Sequence, residues 1–359
     1  MTATDTPGAF SAESWLDTDL DAWTRKVLRR QFDPETGSPY WLKQVPELGF
    51  DPLEITRYDE LSAFGNFDLS VLRDLDPVDM LPQAVERPLT GRVFESGGTT
   101  GAPCRVFYTE RMAEVVAGWW QYSQETAGFE PGRTWLFAGP SGPHLIGSML
   151  ERVTRMSSSI LYGIDLDPRW VKELIRGSRL NEMNQYVDHT SGQVIAILDS
   201  QQVDYLETTP AMLQVLLRKR PDLVGKLQGV GLSGTHITTK QYEDFKAAIA
   251  GDVICVRYGN TFGCGMGLPY EEGSGRLAYV SNYPQATHAV VDKDDPTRLV
   301  GYGELGRVRL TVLHEDLFLP NILDRDQAIR HDTGPQWPCD GVANVEPLTK
   351  SKSAPEGLY

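Results

Sequence analysis

The chain has 359 residues, of which 40% are hydrophobic and 23% charged, and its formal net charge is −15. This composition is that of a globular protein rather than a disordered or repetitive one, and an acidic surface repels the phosphates of nucleic acids. The first residues carry no basic and apolar leader, and no apolar stretch approaches the roughly 20 residues that cross a bilayer. We therefore expect a cytoplasmic protein with neither nucleic acid nor a membrane as partner.

The four cysteines and six histidines are dispersed and form neither a CxxC nor an HExxH pair. Neither a disulfide framework nor a metal site built from protein ligands is therefore expected. Mg²⁺ brought in by a nucleotide stays compatible with this pattern, because it needs few protein ligands.

Residues 1–90 contain many prolines and are predicted to be a helical and loop-rich N-terminal portion of the core. From residue 91 short apolar runs alternate with amphipathic segments, the pattern of an α/β sheet domain, which we assign to 91–333. Residues 334–359 are rich in Pro, Gly, Lys and Ser and are predicted to be a tail or hinge remnant. The predicted strands are 92–95, 104–108, 133–138, 194–198, 203–206, 229–232, 253–257, 277–280, 289–292 and 307–313. Helices are predicted over 110–126, from 167 to 177, from 209 and from 238.

The strongest local signal is a Gly/Thr-rich loop between the first two predicted strands. It consists of Ser96, Gly97, Gly98, Thr99, Thr100 and Gly101, followed by Ala102 and Pro103. Glycines allow the backbone to approach a ligand closely, and backbone N–H groups and hydroxyls in such a loop bind oxyanions. No Gly-Lys-[Ser/Thr] follows, so this is not a Walker A loop. The alternative is a hydroxyl-rich hairpin turn without a ligand.

The loop resembles the phosphate loop of the adenylate-forming superfamily, which contains acyl-CoA synthetases, peptide-synthetase adenylation domains and luciferases, and is most similar to the phenylacetate–CoA ligase branch. Further segments that resemble family motifs follow in the family's order. They are Thr208-Thr209-Pro210, Gly231 to His236, Tyr258-Gly259-Asn260-Thr261, Gly303-Glu304-Leu305-Gly306, and Pro320 to Ala328. The resemblance covers about residues 90 to 330.

This resemblance implies the large α/β core of an adenylate-forming enzyme, with mixed sheets flanked by helices and a strand-rich C-terminal part. It implies ATP-dependent activation of a small, aromatic carboxylic acid as its acyl-adenylate. The phosphate loop would hold the triphosphate, and Thr261 and Arg325 would act at the reacting phosphate. Further nucleotide contacts implied by the family motifs involve Gly234, Thr235, His236, Tyr258, Gly259 and Asn260. Either Asp324 or Asp326 would hold the ribose.

Three departures from the family pattern affect the expected mechanism. Phe262 stands where the family has a magnesium-holding glutamate, which puts the Mg²⁺ site in doubt. The ribose aspartate falls on Ala328 in an ungapped match. Only about 30 residues follow the ribose segment, too few for the family's mobile domain with its catalytic lysine. The chain is therefore expected to be a truncated relative that works in a biosynthetic pathway with an acyl-acceptor or reductase partner protein, and a homodimer is compatible with its size. The alternative is a non-catalytic protein that binds an acyl-adenylate or AMP.

The acid is expected near Phe137 and His144, which follow a predicted strand in a Gly/Pro-rich segment. His144 could instead be an ordinary loop histidine. Trp119 and Trp120 are predicted to pack in the core or on the surface rather than to line a pocket. Cys339 is considered as an acyl-accepting thiol, although Asp340 beside it would raise the pKa of that thiol and disfavour this role.

Overall fold

The computed structural model describes residues 10–97 and 102–348 of the chain. Within these ranges the α-helices are α1 Ala12–Leu16, α2 Leu20–Phe32, α3 Pro39–Leu48, α4 Val71–Asp74, α5 Glu110–Ala127, α6 Leu145–Met156, α7 Pro168–Arg176, α8 Leu180–Ser200, α9 Pro210–Lys219, α10 Pro221–Val224 and α11 Thr239–Ala248. The strands are β1 Gly91–Glu95, β2 Arg105–Thr109, β3 Thr134–Ala138, β4 Ile160–Gly163, β5 Tyr205–Thr208, β6 Gly229–Leu232, β7 Val253–Gly259, β8 Cys264–Gly267, β9 Ala278–Ser281, β10 Ala286–Val291, β11 Leu305–His314, β12 Leu317–His331 and β13 Gly341–Pro347.

An 11-stranded sheet runs through the molecule in the order β10-β11-β12-β13-β9-β8-β7-β6-β5-β3-β4. On one side of β7, the neighbouring strands β7, β6, β5, β3 and β4 pair in parallel. On the other side, every pair from β7–β8 to the edge pair β11–β10 is antiparallel. A separate antiparallel hairpin is formed by β1 and β2. The α/β fold with a strand-rich C-terminal part is confirmed, and β7 is the strand at which the parallel half meets the antiparallel half.

Local sequence signals predicted several helix starts correctly. Asp167 caps α7 by accepting a hydrogen bond from the backbone N–H of Arg169, and Pro168 occupies the first turn, where its missing N–H costs nothing. Thr238 and Gln241 form a capping box at the start of α11. These signals depend only on residues close in sequence, so the helix starts can be predicted without knowledge of the tertiary structure.

The structure differs from the sequence analysis in three places. Residues 194–198 were expected to form a strand but lie inside α8, where the side chain of Val194 is fully buried. A short apolar run has the same composition in a buried strand and on a buried helix face, which explains the error. No strand was predicted where β12 lies, because its residues Pro320 to Ala328 were singled out only as a family motif. The stretch from 334 was expected to be a tail, yet its residues Gly341–Pro347 form β13 between β9 and β12.

The N-terminal helices are anchored on the antiparallel half of the sheet by buried indole donors. Trp23 Nε1 donates to the carbonyl of Leu313 at 2.8 Å, and Trp41 Nε1 donates to the carbonyl of Phe318 at 3.1 Å. Both carbonyls belong to the long β11–β12 pair. Among the described residues, none of the helices combines the length and the apolarity that a membrane span needs.

Candidate active site

A cavity of about 510 Å³ lies beside the carboxyl-terminal part of β7. Its walls come from the β1–β2 connection, helices α5, α6 and α7, the end of β6, the turn after β7, and β12. The carboxyl ends of parallel strands are where open α/β sheets bind ligands, because connections diverge there and leave a crevice. The position of this cavity therefore marks it as the candidate active site.

Tyr258, Asn260 and two aspartates of β12 form one hydrogen-bond network. Tyr258 Oη donates to Asp326 Oδ2 at 3.1 Å and lies 3.4 Å from Asp324 Oδ2, to which Asn260 Nδ2 also donates at 3.1 Å. Burial, and then the charge of Asp324, raise the pKa of Asp326 to about 6. Burial, followed by the two aspartates, raises the pKa of Tyr258 well above its usual value, so its hydroxyl remains a donor. Of the two carboxylates, only Asp324 lines the cavity.

The turn after β7 is held against the β1–β2 hairpin. Thr261 Oγ1 donates to the carbonyl of Glu95 at 3.3 Å, and Tyr108 Oη donates to the carbonyl of Thr261 at 2.9 Å. Asn260 Oδ1 accepts from the backbone N–H of Phe262 at 2.9 Å, which closes the turn. Thr261 is thereby placed at the wall that also carries the start of the predicted phosphate loop.

The base of that loop is described, while Gly98, Thr99, Thr100 and Gly101 lie outside the described residues. Ser96 Oγ accepts from the backbone N–H of Cys104 at 2.9 Å, and the N–H of Ser96 donates to the carbonyl of Cys104 at 2.9 Å. These bonds close the loop at its base. Ser96, Gly97 and Ala102 line the cavity.

A lysine that the sequence analysis did not single out lies beside the loop. Lys172 of α7 lines the cavity, and its Nζ donates to the carbonyl of Gly97 at 2.8 Å. Burial lowers the pKa of Lys172, and the positive charges of Arg325 and Arg176 lower it further. Arg325 also lines the cavity, so two cations converge on the side where the loop begins. No motif marks Lys172, because α7 reaches the loop only through the tertiary fold.

A buried ion pair forms another part of the wall. Arg257 Nη1 lies 2.8 Å from both carboxylate oxygens of Glu207, and Ser233 Oγ donates to Glu207 Oε1 at 3.2 Å. The guanidinium carbon lies 4.4 Å from the ring centroid of Trp120, a cation–π distance. Trp119 is 1% exposed and packs in the core as expected, whereas Trp120 lines the cavity and so differs from the sequence expectation.

The structure brings together most of the predicted site residues that it describes. The predicted residues that line the cavity are Ser96, Gly97, His144, Gly234, Tyr258, Gly259, Asn260, Thr261, Asp324 and Arg325. Thr235, His236, Asp326 and Phe137 are not among its lining residues. The Nδ1 atom of His236 lies 2.5 Å from the carbonyl of Val345 in β13. Phe137 is 4% exposed and borders a separate surface cleft of about 530 Å³. The ligand contacts assigned to all these residues stay predictions.

The sequence analysis placed Phe262 at the position of a magnesium ligand and considered Cys339 as an acyl-accepting thiol. Phe262 is 4% exposed and lies in the cavity wall, where its ring offers no oxygen to a cation. Within residues 10–97 and 102–348, no group of three or more His, Cys, Asp or Glu could hold a metal ion. Burial, and then Asp340, raise the pKa of the Cys339 thiol to about 12, which does not favour a nucleophilic role.

Comparison with known proteins gives structural matches only. No family model and no curated protein matches the chain. It superposes on an open conformation of 2-hydroxyisobutyryl-CoA ligase in complex with 2-HIB-AMP and CoA, with a TM-score of 0.65, 15% identity, and coverage of 90% of this chain and 72% of that chain. The same ligase in the thioesterification state, also with 2-HIB-AMP and CoA, gives a TM-score of 0.66 and 15% identity over 93% of this chain and 67% of that chain.

A third structure of that ligase, in the postadenylation state with R3-HIB-AMP, gives a TM-score of 0.66 and 14% identity, and the matched part spans 65% of that chain. Identities of this size show the fold alone. The chain therefore shares the fold of the part of that ligase that it covers.

Proposed function

We propose that this protein activates a small carboxylic acid with ATP and forms its acyl-adenylate. The observation that carries the proposal is the convergence of different chemistries in one cavity. Tyr258 and Asp324 supply an aromatic ring and a carboxylate, Ser96 and Thr261 supply hydroxyls, and Lys172 supplies a cation beside the loop. An adenosine nucleotide can use all of these groups, and the order of the sequence motifs supports the same interpretation.

The arrangement supports one orientation of the nucleotide. Adenine would pack near Tyr258, and the ribose hydroxyls would donate to Asp324, which already accepts from Asn260. The α-phosphate would lie near Thr261 and Arg325. The β- and γ-phosphates would extend toward Ser96 and Gly97, where the ammonium of Lys172 is held. Charge-assisted hydrogen bonds of this kind are stronger than neutral ones, so the cations would contribute most to binding of the triphosphate.

The chemistry is a displacement at phosphorus. A carboxylate oxygen of the acid forms a new P–O bond to the α-phosphorus, and the bond between that phosphorus and the bridging oxygen of pyrophosphate breaks. Pyrophosphate leaves with the additional negative charge, which Lys172 and Arg325 would offset. Alignment of the reactants and stabilisation of developing charge supply most of the rate in such a reaction.

Mg²⁺ would be held mainly by phosphate and water oxygens, because Phe262 offers no ligand and the described residues form no metal cluster. When bound, it would neutralise phosphate charge. We expect the protein cations to carry more of that task here than in a site with a carboxylate ligand for the metal.

The acid would occupy the part of the cavity formed by α5 and α6. Trp120, Leu145 and Ile146 give this part an apolar wall, and His144 lies at its edge. Such a wall suits an aromatic acid. An acyl-acceptor or reductase partner would then take the activated acyl group in a biosynthetic pathway, and the protein itself would form a homodimer.

The position of Phe262 supports a second candidate, a protein that binds an acyl-adenylate or AMP without making it. This candidate predicts AMP binding without pyrophosphate exchange, even with a partner enzyme present. Changing Phe262→Glu separates the two. A gain in exchange supports an enzyme with a weakened metal site, and absence of exchange in both proteins supports the binding protein.

The direct test of nucleotide binding is isothermal titration with ATP, AMP and an acyl-sulfamoyl adenosine. We expect saturable binding of all three, weakened by Asp324→Asn and unchanged by Lys246→Ala, which alters an exposed residue of α11. If none of the three ligands binds the wild-type protein, both candidates are wrong.

A further inference from the structure

The ion pair between Glu207 and Arg257 crosses a neighbouring strand. Glu207 lies on β5 and Arg257 on β7, and β6 runs between them with Gly231 directly opposite Glu207. A Cβ atom at Gly231 would lie 1.8 Å from Glu207 Oε2 and 3.2 Å from Arg257 Nη1. Only glycine at this position leaves space for the two side chains to meet over the face of the sheet. The pair therefore depends on residues of three adjacent strands, β5, β6 and β7.

The pair is almost removed from solvent, with side-chain exposures of 0% for Glu207 and 9% for Arg257. Burying two charges costs free energy that their attraction only partly returns, and apolar side chains of similar volume often give equal or greater stability. Burial raises the pKa of Glu207, while Arg257 and Ser233 oppose that rise. Because the guanidinium stays protonated and lies 2.8 Å from both oxygens, we treat the carboxyl as ionised at neutral pH. Stability alone does not explain such an arrangement.

The donors around this pair exceed the acceptors. Arg257 Nε and Nη2 are buried and donate no hydrogen bond to any residue in the described ranges, and the same is true of Trp120 Nε1. All three atoms are donors, and both residues line the cavity. A buried donor without an acceptor costs about 1–3 kcal/mol. An oxygen acceptor on a ligand, reached with a small side-chain movement, would remove that cost.

Arg257 and its neighbour Tyr258 have different partners. Successive side chains of a strand point to opposite faces, so Arg257 and Tyr258 project to different sides of β7. Tyr258 contacts the aspartates of β12, whereas Arg257 contacts Glu207 and Trp120. The groups proposed for the nucleotide therefore do not use the donors of Arg257.

We propose that the Glu207–Arg257 pair and Trp120 form the specificity element for the acid, and that they select acids whose body carries a neutral oxygen acceptor, such as a hydroxyl, ether, ketone or amide group. A second carboxylate is disfavoured, because Glu207 already balances the charge of Arg257. A site that offers hydrogen bonds to a substrate rejects analogues without the acceptor, since its own buried donors then stay unpaired. This inference rests on the proposed function and names its substrate class.

The test compares acyl-sulfamoyl adenosines made from three acids of similar size: 4-acetylbenzoic acid, 4-isopropylbenzoic acid and terephthalic acid. Binding is measured by isothermal titration, which needs no turnover. We expect the acetyl compound to bind wild-type protein at least tenfold more tightly than each of the other two. The double variant Glu207→Leu/Arg257→Leu removes both charges together and should reduce the acetyl-to-isopropyl ratio to about one.

The single variant Arg257→Leu would leave a buried unpaired carboxylate and is expected to fold poorly, so the double variant carries the test. Arg218→Leu, at an exposed position of α9, is the matched control and should keep the wild-type ratio. AMP titration and thermal melting of each variant show whether the protein is folded, so that a loss of ligand preference is not mistaken for unfolding. Equal affinities for the three compounds in wild-type protein, or a preference that survives in the folded double variant, would overturn the inference while leaving the proposed function standing. Failure of wild-type protein to bind AMP and every analogue would overturn both.

Discussion

The two sides of strand β7 differ in how they are built. On the Tyr258 side, a hydroxyl, an amide and two carboxylates share hydrogen bonds close to loops that begin and end at the cavity. On the Arg257 side, a single ion pair is buried under α5 and needs a glycine on the strand between its partners. The first side offers groups suited to any adenosine nucleotide, whereas the second offers donors suited to particular acids. We infer that nucleotide affinity and acid preference can be changed independently.

The largest effect is expected at Lys172. Removing its ammonium by Lys172→Ala should weaken ATP binding roughly 100-fold and AMP binding less than threefold, because the cation would contact the outer phosphates. Isothermal titration with both nucleotides measures this difference, and Lys246→Ala serves as the exposed control. Equal losses for ATP and AMP would instead mean that Lys172 acts only by holding the carbonyl of Gly97.

The glycine between Glu207 and Arg257 provides a test confined to the other side of β7. Gly231→Ala places a Cβ 1.8 Å from Glu207 Oε2, so the pair must separate or the strands must shift. We expect the free energy of unfolding to fall by about 2–3 kcal/mol, because such overpacking also disturbs a buried pair. Urea unfolding measures the change.

A matched glycine is available for comparison. Gly192 lies at an exposed position of α8, and a Cβ there meets nothing within 4 Å. Gly192→Ala should therefore stabilise the protein by about 0.5–1 kcal/mol, since alanine favours helix. If Gly231→Ala is equally harmless, the pair does not depend on that close approach.

Asp324 provides the corresponding test on the nucleotide side. Asp324→Asn should weaken ATP, AMP and adenosine by a similar factor of roughly tenfold, because the proposed contact is to the ribose that all three share. The ratio between the acetyl and isopropyl analogues should stay at its wild-type value. A change in that ratio without a loss of AMP affinity would place Asp324 in the acid subsite instead.

The smallest effect is expected from the titration of Asp326. The pKa of Asp326 is raised to about 6 in the folded protein, so the folded state holds this proton more tightly than the unfolded chain. Its contribution to stability is present at low pH and is lost as the pH rises through 6. From pH 5 to 7.5, the free energy of unfolding of Asp326→Asn should rise relative to wild type by roughly 1 kcal/mol. A constant difference across this range would contradict the raised pKa.

How much the sequence could predict also differs between the two sides of β7. Tyr258, Asn260 and Thr261 are neighbours in one motif, and Asp324 lies in another, so the resemblance singled out residues that the fold then placed around one cavity. Each of these residues belongs to a short continuous motif, and the position of each motif follows from the order of strands in a known type of sheet.

Glu207, Arg257 and Lys172 carry no comparable signal. Glu207 and Arg257 are 50 residues apart, and no sequence motif connects them. One usable sign was a charge inside otherwise apolar strands, since buried charges require partners. Lys172 meets the loop base 75 residues away only because the tertiary fold brings α7 to the loop. Strand β13 was missed for a related reason, because β9, one of its two neighbours in the sheet, comes from a distant segment.

The most direct test of the central claim is ATP–pyrophosphate exchange by the purified protein with Mg²⁺ and a panel of acids that includes 4-acetylbenzoic and 4-isopropylbenzoic acid. The account predicts exchange that requires an acid, is faster with the acetyl acid, and is lost in Lys172→Ala. Absence of acid-dependent exchange across the panel, in a protein that still binds AMP, would contradict an adenylating enzyme and leave the binding protein as the remaining candidate.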